Sequence, residues 1–310
     1  MKAVRNAPPG VEVVDVEEPS GDGELIKVAA VGICASDFMY LRWGSTYIAG
    51  HEIAGTLADG TPVAVEAIMG CSECEHCAAG NYQYCATTMT SSLGMTAAGG
   101  MSEYFRAPRR VLTPLPAGLA VRDACLVEPG AVAWHAARLG QVGPGTRVAV
   151  VGAGGIGMLA AAAAQAMGAA EVSVEARHPH QQRARERICA TEPSGIYDVV
   201  IEAGGNEGSL HRAIELARHQ GTVVYTGAFY EKTDLPHMAL AVKEVALRPS
   251  QGYGTHAGRR DFAEVAAMLA ARPELPELLI THRYPIDDAA AAFVTAADRS
   301  QGVFRVVVEP

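Results

Sequence analysis

A surplus of basic residues is missing from this chain. Its 310 residues carry 25 Lys and Arg against 34 Asp and Glu, a formal net charge of −9. Binding to nucleic acid needs the opposite balance on at least one face, so that role is set aside. A long apolar run is missing too. Met1-Lys2-Ala3-Val4-Arg5 leads straight into a strand-like segment, with neither a signal-peptide core nor the roughly 20 apolar residues of a membrane span. The cytoplasm is the expected location. A disulfide framework is also absent, because seven cysteines is an odd count and a cytosolic chain keeps them reduced. No internal repeat or low-complexity linker interrupts the chain. What remains is ordinary for a soluble globular protein, 49% hydrophobic and 19% charged, and long enough that two domains are the natural expectation.

The texture of the two halves differs. Val11-Glu12-Val13-Val14 and Leu25-Ile26-Lys27-Val28-Ala29 alternate apolar and polar residues, as half-buried antiparallel strands do. Gly55-Thr56-Leu57 and Pro62-Val63-Ala64-Val65 continue the pattern across the tight-turn pair Asp59-Gly60. Residues 70–100 show no periodicity and read as an irregular lobe. From Glu128 onward strand and helix alternate. Arg147 to Val151 is a buried strand, Gly155 to Met167 an Ala-rich helix, Glu171 to Glu175 a second strand, and later strands follow at Tyr197 to Ile201 and Gly221 to Tyr225. Such alternation predicts a parallel sheet with helices on both faces. Between Arg187 and Tyr197 there is little room for a third strand, so one sheet edge is expected to be abbreviated. The closing segment, Leu278 to Pro310, regains short strands around a helix at Asp287 to Ala297. The expected fold is α/β, with a mostly-β domain over residues 1–130, completed by 273–310, and a doubly wound parallel-sheet domain over 131–272.

Chemistry concentrates between Cys34 and Glu52. Cys34-Ala35-Ser36-Asp37 and Gly50-His51-Glu52 offer a thiol, an imidazole and two carboxylates within nineteen residues. Zinc takes sulfur and nitrogen ligands readily, and a reactive zinc uses three protein ligands with one position open. Cys34 and His51 are the first two candidates. Glu128, in Leu126-Val127-Glu128-Pro129, is the candidate third. Cys125 is chemically eligible, but a cysteine in an apolar run is more often a small core residue. Glu52 is a further oxygen donor, able to ligate directly or from behind. Asp37 suits the task of fixing the His51 ring and its tautomer. A lone histidine is more often a core or surface residue than a ligand; the neighbouring thiol and the Gly-His-Glu triplet shift that balance.

Cys71-x2-Cys74-x2-Cys77-x7-Cys85 puts four thiols within fifteen residues. Scattered core cysteines would not repeat at a constant interval, and four thiolates close a tetrahedral shell with no room for substrate. A structural zinc is expected there, stapling a loop too poor in apolar residues to pack alone; an iron–sulfur cluster is the lesser alternative.

Gly152-Ala153-Gly154-Gly155-Ile156-Gly157 follows a strand and opens a helix. That context turns a weak glycine pattern into a dinucleotide loop, where amides meet pyrophosphate at a helix N-terminus. At the end of the next strand an acid would select NAD and an arginine NADP. The residues there are Glu175-Ala176-Arg177-His178. Glu175 argues for NAD, Arg177 and His178 for NADP, and all three also suit a solvated loop.

Taken together, these motifs, with Gly99-Gly100-Met101-Ser102-Glu103-Tyr104 and Glu128-Pro129 followed by Trp134-His135-Ala136, span nearly the whole chain in order. The sequence resembles the zinc-dependent medium-chain alcohol dehydrogenases, on the polyol and threonine dehydrogenase branch. The resemblance implies a GroES-like catalytic domain, a Rossmann domain and a cleft between them holding substrate and nicotinamide. It implies a zinc ligand at Glu128 in place of cysteine, two zincs per chain, and a homodimer or homotetramer. Ser36 would pass a proton outward, and Tyr40 would touch substrate. Three departures stand out: Met39 occupies a position where the branch often has histidine, the NAD-selecting acid falls on Ala176 with Arg177 beside it, and the chain is shorter before His51 and around Cys189. NADP is therefore favoured over NAD. The expected activity is hydride transfer between a secondary alcohol or polyol and a nicotinamide cofactor. The rival readings are a zinc-independent enoyl or quinone reductase of the same fold and a non-catalytic nucleotide-binding protein.

Overall fold

The structure, a computed structural model, describes every residue except 228, 230 and 231, and only the backbone of 89 and 299. Sixteen strands are present among the described residues: β1 (Lys2–Ala7), β2 (Gly10–Asp15), β3 (Glu24–Gly32), β4 (Glu52–Leu57), β5 (Pro62–Val65), β6 (Tyr104–Ala107), β7 (Leu112–Pro114), β8 (Arg147–Val151), β9 (Glu171–Glu175), β10 (Tyr197–Glu202), β11 (Ala217–Tyr225), β12 (Ala246–Pro249), β13 (Thr255–His256), β14 (Arg259–Arg260), β15 (Ile280–Pro285) and β16 (Arg305–Glu309). The chain divides into two compact units, Met1–Glu128 with Gly254–Pro310, and Pro129–Tyr253. None of the described helices is long and apolar enough to cross a membrane.

The first unit is built on one sheet of order β15-β16-β3-β4-β5-β7, with β6 also pairing β3. Alternation sets its faces. Along β3, Ile26 and Val28 are buried while Lys27 between them points outward, so Ile26 and Val28 join Ile53, Val63, Val65 and Phe105 in one core. The β4–β5 turn forms at the expected pair: Gly60 takes φ +88°, and the Asp59 carboxylate accepts from the Thr61 amide at 2.9 Å. After the helix Ala289–Ala297, β16 runs parallel to β15 and antiparallel to β3.

The chain rejoins this unit at Gly254, not at the expected residue 273. The helix Asp261–Ala271 buries Phe262, Val265 and Leu269. Just ahead of it, Arg260 donates to Glu66 at 2.8 Å and to the Leu112 carbonyl at 3.0 Å. A helical stretch beside an α/β half looks like more of that half in sequence; its buried face and its arginine tie it to the β-rich unit instead.

The second unit holds a five-stranded parallel sheet, β12-β11-β10-β8-β9. Val148, Ala149, Val150 and Val151 of β8 are all at most 1% exposed, the run that a strand covered on both faces requires. Val150 faces Gly157 of the helix Gly155–Ala166, while Ala149 and Val151 pack with Leu210 and Ile214 of the helix Glu207–Leu216. The abbreviated edge is present. β9 ends the sheet, and the place of a further strand is taken by a single parallel bridge from Ser173 to Thr191.

Candidate active site and cysteine lobe

Strand register assembles the reactive cluster. Gly32 at the end of β3 lies opposite Glu52 at the start of β4, so Cys34 and His51, just beyond, meet at one end of these two central strands. A side chain at Gly32 would clash with Glu52, its Cβ only 2.0 Å from Oε2, so a glycine there makes room for the carboxylate. Ligand atoms of Cys34, His51 and Glu52 all lie within 4.8 Å of one another. Asp37 stands behind them. Its Oδ2 accepts from the Cys34 amide at 2.8 Å and its Oδ1 lies 3.3 Å from His51 Nδ1, the orienting position expected of it. The other ring nitrogen, Nε2, lies 3.4 Å from Ser36 Oγ. Burial by itself would depress the His51 pKa, but the charge and hydrogen bonding of Asp37, joined by Cys34, outweigh it and hold the ring well above the usual histidine value.

Glu52 is fully buried, and burial raises its pKa against the pull of Arg305. Arg305, the first residue of β16, is 6% exposed and donates through Nη1 to Glu52 Oε1 at 2.7 Å and to the Ile33 carbonyl at 3.0 Å. Glu52 Oε2 is buried with no hydrogen-bond partner among the described residues. A thiol, an imidazole nitrogen and an orphaned carboxylate oxygen in one small circle fit zinc, with a cation restoring what burial took from the oxygen. Arg305 was not singled out in the sequence. A lone arginine opening the run Val306-Val307-Val308 is the signal that marks it.

Glu128 does not join that circle. It is buried, and its charge acts on Arg305. Register explains the difference, because β4 delivers Glu52 beside His51 directly, whereas Glu128 arrives from the first turn of the helix Val127–Leu139. Cys125 packs with Ala30 and Val307 as a small core residue, and burial, with the nearby Glu52 charge, pushes its thiol up to about 12. Tyr40 sets its ring 5.9 Å from that of His51, tilted 56° to it and beside Ser36, and burial raises its phenol pKa.

Cys71, Cys74, Cys77 and Cys85 converge within 4.8 Å, with Cys71 and Cys77 sulfurs 4.0 Å apart. The backbone is arranged for thiolates. The Glu73 and Cys74 amides donate to Cys71 Sγ at 3.5 and 3.3 Å, and the Cys71 amide donates to Cys85 Sγ at 3.3 Å. The Thr87 hydroxyl, with the Cys71 and Thr87 amides, lowers Cys85 to about 5, and the Glu73 and Cys74 amides lower Cys71, while burial pushes Cys77 up to about 12. Four sulfurs this close fit a single cation that binds them all as thiolates. Replacing Cys85 with serine is expected to remove one zinc per chain and loosen residues 70–90, read by metal analysis and limited proteolysis; unchanged zinc content would refute the lobe's role.

In the second unit Gly152 takes φ +105°, and a methyl on Gly157 would stand 1.8 Å from the Gly152 carbonyl oxygen. Around Gly154, by contrast, a Cβ would meet nothing within 4 Å, and the helix Gly155–Ala166 starts there with no side-chain cap. Close packing at the loop's ends and open amides at its middle are what a diphosphate needs. Gly157→Ala is expected to cost about 1–3 kcal/mol by overpacking and to abolish dinucleotide binding, read by thermal unfolding and cofactor titration. Glu175 ends β9 and is ion-paired to Arg212 at 2.6 Å; Ala176 is buried, Arg177 exposed, and His178 caps the following helix.

Two family models match the sequence, an alcohol dehydrogenase GroES-like domain over residues 21–117 and a zinc-binding dehydrogenase domain over residues 181–271. L-galactonate-5-dehydrogenase of Escherichia coli is 32% identical, the match covering 88% of each chain. Sorbitol dehydrogenase of Macaca fascicularis is 29% identical over 92% of this chain and 88% of its own. Among solved structures, a zinc-binding dehydrogenase of Sinorhizobium meliloti bound to NADP superposes with a TM-score of 0.86 at 26% identity, covering 100% of this chain and 99% of that one. With the register, the cysteine lobe and the glycine loop already in hand, these likenesses leave one assignment: the chain belongs to the zinc-dependent medium-chain alcohol dehydrogenase family.

Proposed function

We propose that this protein is a polyol dehydrogenase that oxidises a secondary hydroxyl, or reduces the matching ketone, with NADP. The observation that carries the reading is the convergence of Cys34, His51 and Glu52 within 4.8 Å, with Glu52 Oε2 left without a partner. The relatives supply the substrate class, being named for L-galactonate and sorbitol oxidation. A zinc ion held by Cys34, His51 and Glu52 would supply Lewis acidity toward the alcohol oxygen. The Cys71, Cys74, Cys77 and Cys85 thiols would hold a second, structural zinc.

The chain's own side chains do the rest. Asp37 keeps a proton on His51 Nδ1 and so turns Nε2 toward the site. Arg305 holds Glu52 Oε1 and thereby aims Oε2 away from itself. Ser36 Oγ, 3.4 Å from His51 Nε2, is the group that takes the substrate hydroxyl proton outward. Tyr40 flanks Ser36 and closes one side of the site. The amides at Gly154 to Gly157 bind the cofactor diphosphate, and Arg177 with His178 meets the ribose phosphate. Hydride transfer itself is the nicotinamide's chemistry. The working form is a cytoplasmic homodimer or homotetramer.

Between the two carboxylates, Glu52 is the favoured third ligand. Glu52→Gln is expected to leave one zinc per chain and no turnover, whereas Glu128→Gln keeps two; the reverse result would return the role to Glu128. The whole reading is tested by a panel of polyols and secondary alcohols, each assayed with NAD and with NADP alongside zinc content. Zinc-replete protein that oxidises none of them refutes it.

A further inference from the structure

Glu175 is the acid that stands at the end of β9, where a carboxylate would accept from the adenosine ribose 2′-hydroxyl. Its carboxylate is already engaged. Arg212, from the helix Glu207–Leu216, donates through Nε to Oε2 at 2.6 Å, with side chains 39% and 21% exposed. Arg177 Nη2 waits 4.0 Å from the other oxygen, its one ion-pair approach among the described residues, and is 66% exposed. Arg212 also reaches Glu215 at 3.2 Å, on the same helix. The nearby Arg185 is committed elsewhere, to the Val174 carbonyl and to Glu192 at 3.1 Å.

We propose that Arg212 is a positioning residue for cofactor choice: by gripping Glu175 it keeps that carboxylate off Arg177 and leaves the Arg177 guanidinium to a 2′-phosphate. This deepens, and rests on, the NADP reading above. Without Arg212, the Glu175 charge has one cation within reach, Arg177, and pairing with it would both consume the phosphate-binding group and repel the phosphate. The freed carboxylate would also accept from an unphosphorylated ribose. Arg212 touches neither cofactor nor substrate in this scheme; it acts through Glu175.

Calorimetric titration of the purified full-length protein with NADP and with NAD, no substrate present, tests this on wild type, Arg212→Gln, Glu175→Gln and the double variant. Expected is tighter NADP binding in wild type, a loss of about tenfold in NADP affinity with a gain for NAD in Arg212→Gln, and recovery of NADP binding in the double variant. Glu175→Gln alone should bind NADP as well as wild type or better. Wild-type protein that prefers NAD overturns the cofactor reading and this inference together. Wild type that prefers NADP, with an unchanged ratio in Arg212→Gln or no recovery in the double variant, overturns the role of Arg212 alone. Should Arg212→Gln fail to fold, weaker NADP binding in Glu175→Gln overturns it equally.

Discussion

Replacing Cys34 or His51 with alanine is expected to lower turnover by about a thousandfold or more, because several kcal/mol of transition-state stabilisation leaves with the reactive metal. Zinc content should fall from two per chain to one, and the fold should survive. The reason for survival lies in where these side chains sit. Both lie beyond the paired ends of β3 and β4, Cys34 half-exposed and His51 at the first residue before Glu52, so neither is a packing element of the core that Ile26, Ile53 and Val65 build. Asp37 would retain its hydrogen bond to the Cys34 amide, which is backbone and outlasts the substitution. Metal analysis, circular dichroism and steady-state kinetics read the three parts separately. Substantial turnover in either variant rules out the mechanism; loss of fold alongside turnover shows instead that the cluster is structural.

The second large effect is on stability. Arg305→Ala should destabilise the first unit by about 3–5 kcal/mol, the range for removing one partner of a buried ion pair. Arg305 is 6% exposed and Glu52 fully buried, so no water replaces the guanidinium, and both Glu52 Oε1 and the Ile33 carbonyl lose their donor. Arg305→Lys should cost less, since a single nitrogen, Nη1, makes both contacts and an ammonium retains the charge. Pairing Arg305→Ala with Glu52→Gln should recover part of the loss, because the stranded charge is then gone. Denaturant unfolding, with hydrogen exchange at β3 and β4 as the local probe, measures it. A loss near zero for Arg305→Ala would mean that water reaches Glu52 and that the pair is not buried in solution.

The two effects are linked through one carboxylate. Glu52 is held on one oxygen by Arg305 of β16 while its other oxygen lies beside Cys34 and His51, so residues 253 positions apart in sequence share a single charge balance. Loss of Arg305 is therefore expected to weaken zinc retention as well as stability, whereas loss of Cys34 should leave the Arg305–Glu52 pair intact.

Local pattern alone determined much of this protein. Constant cysteine spacing announced the lobe, since thiols at such short intervals can close on one ion without help from distant parts of the chain. Alternation in β3 and the unbroken apolar run in β8 announced a sheet with one polar face and a sheet with none, because side-chain direction follows from strand geometry. Gly152 and Gly157 were legible from their place between a strand and a helix, and the folded loop shows why they are glycines, with positive φ at the first and a 1.8 Å approach at the second. Three matters were decided only when the chain folded. Antiparallel register chose Glu52 over Glu128 as the carboxylate beside His51 and brought Arg305 to it. Packing of Phe262 and Leu269 moved residues 254–272 into the β-rich unit. An ion pair from a distant helix decided that Glu175, which reads in sequence as an acceptor for ribose, is already held by Arg212. Each depends on contacts between residues far apart in the chain, and such contacts leave no periodicity for a local pattern to reveal.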